Sequence, residues 1–187
     1  MMSQSLSTLT TKIRHLLKDI AKTEKDVFTY NIDSVFPLSE ENPIEITSVE
    51  VNGETSGVSY EFYIETGKIK ITSSLSVGDT VKVIYTCYPN YSSGEIESAI
   101  RSSLMYISIN NYYDFIIEED DVIYPEPDER ETNLIAIIAS VILEPNNQNF
   151  SLPDIRITTS EKLSVDVKIR KMIGIFKKNS HGVFFIA

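Results

Sequence analysis

The hydrophobic periodicity of this chain changes twice, and that double change constrains its fold more than any other feature. Leu9, Ile13, Leu16, Leu17 and Ile20 recur at helical spacing with Lys12, Lys18 and Lys22 between them, which predicts an amphipathic helix over Ser7 to Lys22. From Val27 the texture becomes β-branched and aromatic: Val27 to Tyr30, Ile44 to Val51, Ser59 to Ile64, Lys68 to Ile71 and Thr80 to Tyr88, several alternating apolar with polar. Asn52-Gly53, Thr66-Gly67 and Gly78-Asp79 punctuate these runs with pairs that accept positive φ, so hairpin connections are expected. After Pro89 the helical period returns. The expected class is therefore α+β: a small helical bundle of about four helices carrying an inserted five-stranded antiparallel β sandwich or barrel-like module. Residues 1–26 and 92–187 would form the helical core with a C-terminal tail, and 27–91 the inserted β-module.

The later elements read as follows. Ser92 or Ser93 caps a second helix whose inward stripe is Ile96, Ala99, Ile100, Leu104 and Ile107, ending near Asn110-Asn111. Asp114 to Asp128 contains Glu118-Glu119-Asp120-Asp121 and Pro125-Glu126-Pro127, which predict a loop or strand-like connector. Asp128-Glu129-Arg130-Glu131 suits the positive end of a third helix, and Leu134 to Leu143 is apolar all round before Pro145, so this helix should be the most buried element. Asn146 to Asn149 reads as a polar loop. Ile155 to Thr158 alternates as a short strand, Val165 to Lys178 forms a basic helix, and Val183-Phe184-Phe185-Ile186 is an apolar, β-prone tail.

Composition narrows the function classes. A formal charge of −10 is distributed as +2 over residues 1–27, −6 over 28–91, −9 over 92–131 and +3 over 132–187. So acidic a middle repels phosphate backbones and disfavours tight nucleic-acid binding. The single cysteine, Cys87, closes no intramolecular disulfide and reads as a buried thiol. The first residues carry no signal-peptide pattern, which predicts an intracellular protein, and the ten-residue Leu134 to Leu143 run is half of what a bilayer crossing needs. No membrane partner is expected.

Catalytic constellations are missing from the pattern. His15 and His181 lie at opposite ends of the chain, and neither a Ser-His-Asp nor a Cys-His pairing is signalled. Phosphate-cradling glycine loops are absent, and Glu118 to Asp121 lacks the alternate spacing and central glycine of a calcium loop. The expectation is a non-enzyme without cofactor or metal. Ten tyrosines without a tryptophan make a sugar-stacking platform the weaker reading of the β-module, with Tyr60 and Tyr85 expected in the core or half-buried.

Four stretches in this order resemble the head-to-tail connector proteins of tailed bacteriophages, also called adaptor or head-completion proteins. They are Ile13-Arg14-His15-Leu16-Leu17; the β-insertion with Val49-Glu50-Val51-Asn52-Gly53, Ile64-Glu65-Thr66-Gly67-Lys68-Ile69 and Gly78-Asp79-Thr80-Val81-Lys82-Val83-Ile84-Tyr85; Ser92-Ser93-Gly94-Glu95-Ile96; and Tyr124-Pro125-Glu126-Pro127-Asp128-Glu129-Arg130-Glu131 leading into an Ile/Ala-rich helix. The resemblance spans most of residues 9–178. It implies a structural virion protein, made in the bacterial host cytoplasm, that forms a homo-oligomeric neck ring matching a twelvefold portal. Such a ring docks on the portal protein, extends the DNA channel without binding DNA specifically, and offers a platform to the next tail or neck protein. No catalytic residue is implied.

On that reading the candidate partner interface joins Lys168, Arg170, Lys171, Lys177 and Lys178 to Glu118, Glu119, Asp120 and Asp121 of a neighbour. Val183, Phe184, Phe185 and Ile186 suit strand addition to the portal or to a neighbouring subunit, the alternative being that they complete their own sheet. A second function class stays open: a binding module of a phage fibre or tail that recognises sugar or protein through its β-module.

Overall fold

The computed structural model describes residues 6–110, 112–118, 121–152, 155–178 and 182–186, with side chains at Phe184 and Ile186 in the last stretch. The chain forms two compact units, residues 1–18 with 93–187, and residues 19–92.

In the first unit the long apolar run decides the core. It becomes α3 (Glu129–Leu143), whose Thr132 to Val141 are all buried. The helix starts where its sequence provides a reciprocal cap: Asp128 accepts the Glu131 N–H, and the Glu131 carboxylate accepts the Asp128 N–H at 2.9 Å. Each fully buried Ile or Leu of α3 contributes about 1.5–3 kcal/mol of transfer free energy. Around α3 pack α1 (Leu6–Leu17), α2 (Ser93–Ile109) and α4 (Val165–Lys177). Leu9, Ile13 and Leu17 of α1, and Ile96, Ile100, Leu104 and Ile107 of α2, are the buried stripes their spacing predicts.

The unit also holds β-structure. The acidic connector folds into a two-stranded hairpin, β7 (Ile116–Ile117) with β8 (Ile123–Tyr124). After α3 comes a three-stranded sheet in the order β11-β10-β9: β9 (Asn149–Leu152) pairs antiparallel with β10 (Ile155–Thr159), and β11 (Gly182–Ile186) adds in parallel on the other side.

The second unit departs from the expected five-stranded sandwich or barrel. It contains six strands in two three-stranded antiparallel sheets, β1-β6-β3 and β2-β5-β4. The strands are β1 (Lys22–Thr29), β2 (Val35–Pro37), β3 (Pro43–Val51), β4 (Tyr60–Tyr63), β5 (Lys68–Ile71) and β6 (Thr80–Cys87). The reason is strand length. β2 stops at a proline after three residues, and β4 and β5 have four residues each, so they form a separate short sheet and close no barrel. In each sheet the middle strand, β6 or β5, alternates buried with less buried residues.

Both sheets feed one core: Phe36, Ile69 and Ile71 from one, Val49, Val81, Val83, Tyr85 and Cys87 from the other. Phe28 stacks on Phe36 with centroids 5.0 Å apart. The Cys87 thiol is buried, and desolvation holds its pKa above the ordinary thiol value. The expected turns take positive φ at Asn52, Gly53, Gly67 and Gly78, where the Val51 to Glu54 turn and the Gly78-Asp79 turn need it.

The first helix is shorter than its periodicity suggests. Lys18 takes φ +57°, and the chain then enters β1 at Lys22, pairing residue for residue with β6 from Lys22↔Cys87 to Thr29↔Thr80. Ile20, counted in the helical stripe, is exposed. A full eight-residue ladder to the most buried strand of the unit outweighs the local helical pattern.

Candidate functional site

The cations proposed from the sequence separate by helical phase. Lys168 is four residues before Met172 and eight before Phe176, which puts it on the inward stripe of α4. It is 1 % exposed, and its ammonium donates to the Pro145 carbonyl oxygen at 2.6 Å, just beyond the C-terminal end of α3. A cation favours that negative helix end. Lys168 is therefore a buried tether and not an interface group.

Arg170, Lys171, Lys177 and Lys178 are exposed. Arg170 pairs with Asp166 one turn earlier at 3.2 Å, and Lys177 donates to the Asn110 carbonyl oxygen at 2.6 Å, tying α4 to the end of α2. A further cation steadies the same helix: Arg130 donates to the Phe176 carbonyl oxygen at 2.8 Å and lies over the Phe176 ring.

Of the acidic set, Glu118 and Asp121 are both exposed at the tip of the β7–β8 hairpin, where Asp121 N–H donates to the Glu118 carbonyl oxygen. Asp121 also accepts the Leu6 N–H at its carbonyl oxygen, which fixes the hairpin to the start of α1. Glu119 and Asp120 lie outside the described residues, as do His181 and the side chains of Val183 and Phe185.

The C-terminal tail pairs within its own chain. Val183 stands opposite Arg156, Phe184 opposite Ile157, Phe185 opposite Thr158 and Ile186 opposite Thr159. Ile186 is 4 % exposed, Phe184 is half-buried, and the Ser160 N–H donates to the Ile186 oxygen. Strand addition to a foreign sheet is therefore not how this segment is used in the single chain. It completes the sheet of its own unit and forms one of that sheet's edges.

The other edge frames a feature that the sequence reading missed. A groove of about 730 Å³ lies between α1 and β9, lined among others by Thr11, Lys12, His15, Leu16, Ser151 and Leu152. His15 is exposed, as expected of a helix-surface residue. Lys12 donates to the Asn133 side-chain oxygen at 2.6 Å, and burial lowers its pKa against the opposing effect of Glu129. The signal was present in the polar-apolar alternation of Asn149-Phe150-Ser151-Leu152, only two residues before the alternating run Ile155 to Thr158.

In the β-unit a smaller cleft of about 390 Å³ is lined by Asn52, Glu54, Ser56, Gly57 and Ser73. Tyr85 is fully buried, whereas Tyr60 at the start of β4, Tyr63 at its end and Ile64 just after it are exposed. Among the described residues no group of three or more His, Cys, Asp and Glu side chains is placed to hold a metal ion, and no helix is long and apolar enough to cross a membrane. No protein-family profile matches the chain, and no curated protein sequence matches it.

Proposed function

We propose that this chain is a structural head-to-tail connector of a tailed bacteriophage, acting as an oligomeric neck ring between portal and tail. The observation that carries the reading is the insertion itself. A unit of four helices built from both ends of the chain is interrupted between α1 and α2 by a β-unit, the element order of the stretches that resemble connector proteins.

Charge supports it. The inserted unit carries twelve acidic against five basic side chains, and a wall of that sign lets DNA pass because it displaces no counterions from the phosphates. A ring of identical subunits needs two different, complementary patches on each copy. The exposed Arg170, Lys171 and Lys177 of α4, with Lys178 just after it, and the acidic hairpin tip are of opposite sign, as such a contact requires. In this reading the chain does no chemistry of its own.

The test is the native mass of the purified protein, alone and mixed with its cognate portal, with negative-stain imaging of any large species. A ring, or monomers that become a ring on the portal, is the expected result. A stable monomer or trimer that ignores the portal refutes it. The second reading, a fibre or tail module that binds sugar or protein, draws on the exposed Tyr60, Tyr63 and Ile64 and on the polar cleft of the β-unit. A saturable glycan-array signal lost on Tyr60→Ala would favour it.

A further inference from the structure

The open edge of β9 faces a groove with a polar, cationic wall, and that combination specifies an occupant. Register fixes which way the strand's main chain points. Thr159 N–H donates to the Gln148 oxygen at 2.7 Å, and the pairs that follow are Thr158↔Asn149, Ile157↔Phe150, Arg156↔Ser151 and Ile155↔Leu152. Antiparallel ladders alternate bonded and non-bonded pairs, so Gln148, Phe150 and Leu152 turn their N–H and C=O groups toward β10. Asn149 and Ser151 turn theirs outward.

The Asn149 N–H is taken by the Asn147 side chain at 3.1 Å, which closes one end of the edge. At Ser151 both outward groups stay open: among the described residues nothing is hydrogen-bonded to them, and Ser151 itself lines the groove. An open edge of this kind is a template for another strand.

Across the groove stands α1. It contributes the Lys12 ammonium, whose three protons include one given to Asn133, the exposed His15 imidazole, the Thr11 hydroxyl and the apolar flank of Leu16. Among the described lining residues none is acidic. The groove thus offers backbone bonds on one side, a cation and an imidazole on the other, and small apolar surfaces from Leu16 and Leu152 between them, while the Thr11 proton is already given to the Ser7 carbonyl oxygen at 3.0 Å.

We propose that this groove binds an extended acidic segment of a partner protein, which adds to the β9 edge at Ser151 and directs its carboxylates toward Lys12 and His15. Main-chain bonds would supply affinity and the alternate side chains selectivity. The proposal rests on the helical unit alone and stands whether or not the chain forms a ring.

The probe is a fluorescein-labelled decapeptide alternating valine with glutamate, compared with its valine-lysine counterpart. Anisotropy titrations give affinity, and amide hydrogen exchange of the full chain by NMR reports on the edge. The glutamate peptide should bind, and at saturation the Ser151 amide should exchange roughly tenfold more slowly. Lys12→Gln should weaken binding by about fivefold, the factor of one part-exposed ion pair, and His15→Glu, which sets a like charge against the ligand's carboxylates, should weaken it at least as much. Ser151→Pro removes the outward N–H without touching a bond to β10, and should abolish binding.

Equal binding of the lysine peptide, an unchanged Ser151 exchange rate or no binding at all overturns the proposal. Protection of Ser151 in concentrated protein without peptide would make a second copy the occupant and overturn the assignment to an acidic partner segment.

Discussion

Tyr85→Phe removes one oxygen from the middle of the β-unit, and the structure sets its cost. The ring is fully buried on β6, and its hydroxyl lies 3.1 Å from the Asp26 carboxylate, 3.2 Å from the Ser39 hydroxyl and 3.3 Å from the Glu40 N–H it accepts. Asp26 also accepts the Ser39 N–H and O–H, both at 2.7 Å, so β1, β6 and the 38–40 segment meet at this phenol. A bond to an ionised carboxylate is worth about 1.5–3 kcal/mol, and an N–H stripped of its acceptor costs about as much as a lost neutral bond. Asp26 keeps both bonds from Ser39, and water reaches its half-exposed side, which places the sum near the lower end, about 2 kcal/mol. Native-state hydrogen exchange at Val83, in the middle of β6, reads this unit by itself, and a loss of that size speeds exchange roughly thirtyfold. Asp26→Asn in the Tyr85→Phe background should cost less than in the wild type, since both changes break one bond. A loss under about 0.5 kcal/mol, or strict additivity of the two changes, refutes the network reading.

Two further outcomes follow from local geometry. Asp128→Ala breaks the reciprocal cap of α3 and should cost about 1 kcal/mol, lowering the helical unit's thermal midpoint by about 4 °C, with Asp128→Asn recovering most of it. The Asp79 carboxyl is held below the ordinary aspartate range by the Ser76 N–H and the Asn52 side chain, both of which donate to it. A depressed folded pKa gives stability that is complete above the unfolded value and is lost as pH falls through the folded one. The β-unit's midpoint should therefore fall as the pH drops below the ordinary aspartate range of about 4, with a slope that Asp79→Asn flattens, and an unchanged slope in the variant contradicts the assignment.

Much of the architecture was legible because local chemistry and tertiary packing agree. The stripe Ile96, Ala99, Ile100 and Ile107 is buried as its spacing demands, Asp128 caps the helix whose first turn is acidic, and Gly53, Gly67 and Gly78 take the positive φ their turns need. Where the reading failed, a distant partner decided. β1 begins at Lys22 because β6 offers an eight-residue ladder, and β2 exists only because Lys68 to Lys70 stand opposite Val35 to Pro37. Tyr60 and Tyr85 share an alternating context, yet one sits on an edge strand and is exposed while the other occupies a middle strand and is buried. The interface candidates divided for the same kind of reason: Lys168 and Arg170 are two residues apart on one basic helix, but a step of about 200° leaves the first buried and the second exposed.

What the sequence determines by itself is the inventory: four helices, a β-rich insertion, their caps and turns, an acidic middle and one thiol with no partner in the chain. These follow from side chains within a few residues of one another, where steric and hydrogen-bonding preferences act directly. Only the tertiary structure decides that the insertion splits into two three-stranded sheets, that the apolar tail completes its own sheet, and that β9 presents Ser151 beside Lys12. Those outcomes depend on strands finding partners far along the chain, and in a strand a register shift of one residue exchanges its buried and exposed faces.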